Sequence, residues 1–117
     1  MAAKAAKRST FEQHRLGAVV VKGSRILSTG FNELSYNGIT RRGTTHAEEA
    51  AITKLLKAKR FSDLVGSDLY VLRFTKAGRI GLSYPCDRCW NLIRSVGIRN
   101  VFFTGNDGVG QRVRCMD

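Results

Sequence analysis

The sequence predicts an α/β fold: a mixed β-sheet of about five strands flanked by helices in three layers. Three observations carry this expectation. β-Branched runs (GAVVVK at 17–22, DLYVLRFT at 68–75, NVFFT at 100–104) alternate with helix-period segments at 46–59 and 86–96. The strands at 25–32, 68–75 and 100–104 follow one another through helices, so all three are expected to run parallel. A length of 117 residues fits a single domain, 1–117, that buries roughly two-thirds of its unfolded surface.

The elements follow in order. Ala and Lys content predicts a short helix over 2–10. Gly17–Lys22 is apolar, β-branched and bounded by Gly23, as a buried strand should be. Arg25–Asn32 is its hairpin partner across the Lys22-Gly23-Ser24 joint. Glu33–Thr45 is polar, contains Gly38 and Gly43, and reads as a loop that is either functional or disordered. Over 46–59, Ala47, Ala50, Ala51, Leu55 and Ala58 trace one helical stripe, with Ile52 and Leu56 on its flank. Thr44 or Thr45 is the expected N-cap, and Glu48 and Glu49 suit the positive end of the helix dipole. Lys76-Ala77-Gly78 is a turn after the third strand. Pro85, the sole proline, starts a second helix over Cys86–Val96, which Gly97 stops. Asn106-Asp107-Gly108 is a strong turn signal that returns Gln111–Cys115 as a fifth strand.

Composition narrows the class. Hydrophobic residues at 43% and charged residues at 25% are globular values rather than those of a disordered chain. No apolar run approaches the ~20 residues of a membrane helix. Met1–Lys7 is Ala/Lys-rich without the apolar core of a secretory signal, so a cytoplasmic location is the default. Three cysteines argue against a disulfide framework and for metal or redox use. A net charge of +11 favours anionic partners such as nucleotides or nucleic acid, although the basic residues are scattered as on a solvated surface.

The most specific chemistry lies in two short segments, His46-Ala47-Glu48 and Pro85-Cys86-Asp87-Arg88-Cys89. Cys86 and Cys89 are i and i+3 in a first helical turn and share a face. The helix N-terminus there is expected to lower thiol pKa values. With His46 they make three zinc ligands and leave the fourth position of a tetrahedral ion to water. Zinc brings the pKa of such a water from 15.7 to roughly 7. Glu48 remains as a proton carrier for hydrolytic attack on a carbon bearing an amino group. A redox Cys-x-x-Cys pair would leave His46-Ala47-Glu48 unexplained. A structural zinc would need a fourth ligand, for which Cys115 and His14, the other histidine, are the candidates. Glu49 reads as a surface carboxylate favoured by the helix dipole.

His-Ala-Glu followed by Pro-Cys-x-x-Cys resembles the zinc-dependent cytidine/deoxycytidylate deaminase superfamily, and the resemblance spans roughly residues 15–108. Gly17-Ala18-Val19-Val20-Val21 looks like that family's first strand. Gly30-Phe31-Asn32 looks like its sugar-contacting strand end, and Gly97-Ile98-Arg99-Asn100-Val101 is similar to its last junction. The resemblance implies a cytidine-deaminase-like fold and conversion of a cytosine base to uracil with release of ammonia. It implies Zn2+ on His46, Cys86 and Cys89, with Glu48 as the proton shuttle. It places the Ala47 backbone on the pyrimidine carbonyl, the Tyr84 carbonyl at the leaving amino group, Asn32 at the sugar, and Phe31 in the wall of the base pocket. Trp90 is expected in the core or an oligomer interface. The chain departs from the family in two ways. Asn32 is followed by Glu33-Leu34 where free-nucleoside deaminases often have Asn-x-Glu, and Cys and His are too few for a second, regulatory zinc.

The expected substrate is a free cytosine nucleoside or nucleotide (cytidine, deoxycytidine or dCMP), with Arg41 and Arg42 before His46 as a clamp for a 5′-phosphate. Single-stranded DNA or RNA is the alternative, favoured by charge and by Phe31, Tyr36 and Tyr84 as base-stacking aromatics. A non-catalytic zinc-stabilised module is the third reading. The chain ends soon after the expected last hairpin, without the closing helices of longer members. A homo-oligomer is therefore expected.

Overall fold

The structure is a computed structural model that describes residues 2–3, 14–37, 41–75, 77–105 and 107–115; for His14, 33–37 and 41–45 it describes the backbone alone. In chain order the elements are β1 (His14–Lys22), β2 (Arg25–Phe31), β3 (Glu33–Asn37), β4 (Arg41–Thr45), α1 (Ala47–Lys57), a single turn α2 (Phe61–Leu64), β5 (Asp68–Thr75), β6 (Ile80–Gly81), α3 (Asp87–Ser95), β7 (Asn100–Thr104) and β8 (Gly110–Arg114). Among the described residues no helix is long and apolar enough to cross a membrane. Of the helix expected over 2–10, only Ala2 and Ala3 are described, and both are helical.

The mixed sheet flanked by helices forms as expected, with six strands in place of about five. Its order is β2-β1-β5-β7-β8, and β6 adds to β5. β1 is antiparallel to both β2 and β5, β5 is parallel to β7, and β7 is antiparallel to β8. The strands β2, β5 and β7, linked in turn through helices, therefore point the same way, but β1 lies between the first two. β5 pairs with β7 through Asp68–Tyr70 and with β6 at Arg73 and Phe74. One long strand thus serves two neighbours on one side.

Three boundaries differ from the sequence-based reading. The stretch 33–45 is not a loop: β3 and β4 pair as an antiparallel ribbon, with Tyr36 opposite Arg42 and Asn37 opposite Arg41. Its β-branched Thr44 and Thr45 and aromatic Tyr36 suit strands, a signal hidden by the polar composition. Helix α1 begins at Ala47 with His46, not Thr44 or Thr45, at the N-cap, and no side chain caps it. Helix α3 begins at Asp87 with Cys86 at its N-cap, so Pro85 precedes the helix. Of the expected stripe on α1, Ala47, Ala51 and Leu55 are buried with Ile52, while Ala58 is exposed.

The core lies between the sheet and the helices: Ala18, Val20, Leu69, Val71, Val101 and Phe103 from strands meet Ala51, Ile52, Leu55, Trp90 and Ile93. Trp90 is core, as one of its two expected settings. Helix α1 lies unusually close to β2. A Cβ at Gly30 would stand 2.5 Å from the Ala51 nitrogen and 2.6 Å from the Ala47 carbonyl oxygen. Ser28 Oγ donates to the Ala51 carbonyl (2.8 Å) and Lys54 Nζ to the Thr29 carbonyl (2.6 Å). Helix α3 is set by a second buried lock. The Thr104 amide donates to Ser83 Oγ (2.7 Å), Ser83 Oγ donates to the Val71 carbonyl (2.9 Å), and Thr104 Oγ1 donates to the Gly81 carbonyl (2.6 Å).

Gly30→Ala therefore forces β2 and α1 apart. Overpacking of this kind costs about 1–3 kcal/mol, and thermal melting should show a fall of several degrees. Since α1 carries His46 and Glu48, the variant's zinc content should fall with its stability. An unchanged melting point would show that the close approach is not what holds the helix.

Candidate active site

The two segments singled out in the sequence meet at the starts of α1 and α3. His46 and Cys86 are the N-cap residues of the two helices, and Cys89 lies one turn into α3. His46 Nδ1 is 3.5 Å from Cys86 Sγ and 3.3 Å from Cys89 Sγ, and the three donor atoms lie within 4.8 Å of one another. Zn–N near 2.1 Å and Zn–S near 2.3 Å at a tetrahedral angle set donor separations of roughly 3.5–3.8 Å. The two observed N···S distances are within a few tenths of an ångström of that. An imidazole and two thiols are also the donor types zinc selects, so the residues present fit Zn2+.

The electrostatics differ in one respect from the sequence expectation. The helix start was expected to lower thiol pKa values. Instead burial, then the neighbouring Glu48 carboxylate and Cys86, push the Cys89 thiol well above the ordinary thiol range. Desolvation outweighs the half-charge of a short helix at a nearly inaccessible sulfur. A divalent cation among the donors reverses that balance, because a coordinating thiol is deprotonated. Burial likewise raises the Glu48 carboxyl above the usual carboxylate range; its own backbone N–H, His46 and a hydrogen bond from Cys89 oppose the rise. Glu48 is 4% exposed. Glu49 is partly exposed and faces Arg88 at 3.8 Å, a surface pair worth little.

Beside the cluster opens a cleft of about 250 Å³. His46 and Glu48 line it together with Tyr84, and so do four residues that sequence reasoning missed: Leu16, Arg73, Leu82 and Ser83. Arg73 did leave a signal. On β5 the core-facing positions run Leu69, Val71, Arg73, a charge where the period-2 pattern calls for an apolar residue. Ser83 left none, being one serine in an irregular segment. Tyr84 is half-exposed, and its ring rests against Trp90 (5.4 Å) and edge-on to Phe103 (5.1 Å).

The other expected site residues are distributed unevenly. Asn32 is buried and locked to β1: its N–H donates to the Leu16 carbonyl (3.1 Å), and the Leu16 N–H donates to its Oδ1 (2.9 Å). Ala47 is wholly buried in the first turn of α1. Phe31 sits in the cross-strand row of Gly17 and Leu72, on the sheet face away from α1, and is not among the residues lining the cleft. The alternation that points Gly30 at α1 turns Phe31 the other way. Arg41 and Arg42 are consecutive positions of β4. Their side chains lie outside what is described. Cys115 follows β8, packs against the core and is not part of the donor cluster among the described residues.

A mixed sheet with a His/Cys/Cys donor set at two helix starts and a buried carboxyl beside it is the build of a zinc hydrolase. The family is more particular. Residues 1–105 match the family model for the cytidine and deoxycytidylate deaminase zinc-binding region, and the chain belongs to that family. It is 35% identical over 126 aligned residues to a deoxycytidylate deaminase of Mycobacterium phage D29, covering 88% of each chain. Among solved structures it resembles dCMP deaminase from the cyanophage S-TIM5 in apo form (TM-score 0.68, 25% identity, 92% of this chain and 80% of that one). It also shares the fold of cytidine deaminase from Burkholderia pseudomallei (TM-score 0.70, 20% identity, 97% and 87%). The chain is thus a hydrolytic enzyme of the deaminase family.

Zinc content separates the cysteines. Cys86→Ser and Cys89→Ser should each lower bound zinc at least tenfold at limiting metal, measured by atomic emission, whereas Cys115→Ser should leave one zinc per chain. Zinc loss in Cys115→Ser would restore the reading of a closed, structural site.

Proposed function

We propose that the chain converts dCMP to dUMP and ammonia, with His46, Cys86 and Cys89 holding Zn2+ and Glu48 moving the protons. The observation that carries this is Glu48: a buried carboxyl, beside the donor triad, open to a cleft of small-molecule size. Its kinship with deoxycytidylate deaminases supports the nucleotide over the nucleoside.

When bound, zinc supplies Lewis acidity that makes water nucleophilic at neutral pH. The overall change adds one water at C4 of the cytosine ring and expels the exocyclic amine. Glu48 accepts a proton as water attacks and delivers it to the ring nitrogen beside C4; a second transfer through the same carboxyl lets the amine leave as ammonia. A carboxyl whose pKa is raised by burial suits a group that must both take and give a proton. The Ala47 backbone holds the pyrimidine carbonyl, the Tyr84 carbonyl receives the leaving amino group, and Asn32, fixed by Leu16, meets the sugar. Of the three stacking aromatics in the polynucleotide reading, Phe31 lies on the far face of the sheet, which weakens that reading, while Tyr84 lines the cleft.

Zinc-loaded protein should release ammonia from dCMP. Glu48→Gln, nearly isosteric but unable to carry the proton, should lower kcat by about 10²–10⁴ while keeping one zinc per chain and the wild-type melting point. Turnover within tenfold of wild type would remove Glu48 from the mechanism.

A further inference from the structure

We infer that Ser83, working with Thr104, is a positioning residue for the metal: its hydroxyl parts β5 from β7 at the cleft and fixes where Cys86 stands, a reading that rests on the zinc site rather than on the choice of substrate. The evidence is a change of neighbours along β5. Its pairing with β7 ends at Tyr70 and Phe102, and its pairing with β6 begins at Arg73 and Gly81. Val71 falls in the gap. Continuing the parallel register would set Val71 beside Phe103 and aim the Val71 carbonyl at the Thr104 amide. Instead the Ser83 hydroxyl lies between those two groups. The Thr104 N–H donates to Ser83 Oγ (2.7 Å), and Ser83 Oγ donates to the Val71 carbonyl (2.9 Å). The Ser83 N–H donates to the Thr104 carbonyl (2.9 Å). A side chain from an irregular segment thus replaces one rung of the sheet, and the two parallel strands part around it. Ser83 is also in the wall of the cleft, and crevices beyond the carboxyl ends of parallel strands are where such sheets bind ligands.

The arrangement is firmly held. Val71, Ser83 and Thr104 are all buried, where a carbonyl or amide left without a partner is costly. Each hydroxyl has one proton. Ser83 gives its proton to Val71, and Thr104 gives its own to the Gly81 carbonyl (2.6 Å), with the two oxygens 3.0 Å apart. Both ends of the stretch 81–83 are therefore tied to the sheet.

What this stretch holds is Cys86. That residue is exposed and is the N-cap of α3, with no side-chain cap bond, so core packing does not place it. Only Tyr84 and Pro85 separate it from Ser83. Proline has a fixed φ, and the residue before a proline is confined to extended backbone. The Tyr84 ring also rests against Trp90 and Phe103. The link from Ser83 to Cys86 is therefore stiff, and a shift at Ser83 arrives at Cys86 Sγ. Cys89 is placed by other means, being buried one turn into α3 beside Trp90. Among the described residues the hydroxyl network bonds to none of the three metal donors. Ser83 acts through Cys86.

The test compares wild type, Ser83→Ala, Thr104→Val and Thr104→Ser. Valine keeps the shape of threonine without its hydroxyl, whereas serine keeps the hydroxyl. Zinc affinity of each folded apoprotein is measured below its melting midpoint, by competition with a chromophoric chelator. Ammonia release from dCMP by the zinc-loaded wild type is measured alongside. Zinc affinity should fall at least tenfold in Ser83→Ala and in Thr104→Val and stay within threefold of wild type in Thr104→Ser. A purely structural role would lower the melting midpoint and leave the zinc affinity of the folded protein alone. A loss of less than tenfold in either hydroxyl-free variant overturns the inference, as does a loss above threefold in Thr104→Ser. If one hydroxyl-free variant does not fold, the other decides by the same limits. Wild type that binds zinc but releases no ammonia from dCMP removes the proposed function and leaves zinc affinity to decide this inference; wild type that binds no zinc removes both.

Discussion

The approach of α1 to β2 is the constraint on which the site depends. At Gly30 the helix backbone and the strand backbone come closer than any side chain permits. That contact fixes the height of α1 over the sheet, and with it the positions of His46 at the N-cap and Glu48 in the first turn. The hydrogen bonds from Ser28 and Lys54 hold the same pair of elements from either side. A looser helix would still be buried, because Ala51, Ile52 and Leu55 supply enough apolar contact. Its first turn, however, would not be held to the few tenths of an ångström that three donors around one ion require.

The second helix is positioned by different means. Helix α3 rests on the core through Trp90 and Ile93, but its start is fixed from behind. Ser83 and Thr104 tie the segment before Cys86 to β5, β6 and β7 through buried, satisfied polar contacts. A buried hydroxyl network has few alternative arrangements, so it specifies geometry more sharply than apolar packing does. The donor set thus joins one element placed by backbone contact and one placed by hydrogen bonds. Ligands distant in sequence converge because both of those elements refer to the same sheet.

Much of this was legible in the sequence. The strands at 68–75 and 100–104 carry β-branched and aromatic residues between turn signals, and their limits agree with β5 and β7. The donor residues were legible because zinc demands residue types that are rare elsewhere in the chain. What could not be read has physical causes. The ribbon β3–β4 comes from a stretch of mostly polar composition, so no strong hydrophobic period marks it. The direction of Phe31 follows from Gly30 facing α1, a tertiary fact. Burial pushes the Cys89 thiol up, which outweighs a helix-end effect that sequence does reveal. Strand β6, only two residues long, has no periodicity to detect.

Two positions break the local pattern in the same sense, and one was easier to read than the other. Glu48 interrupts the buried stripe of α1 between Ala47 and Ala51, and Arg73 interrupts the core-facing row of β5 after Val71. Each places an ionisable group where the local pattern calls for an apolar one. Glu48 sits two residues from a metal ligand, so its purpose is visible at once. Arg73 sits in a strand with no motif around it, and its place in the cleft appears only when register sets it beside Leu16. The donor set is encoded in neighbours along the chain, whereas the lining of the cleft is assembled from neighbours across the sheet.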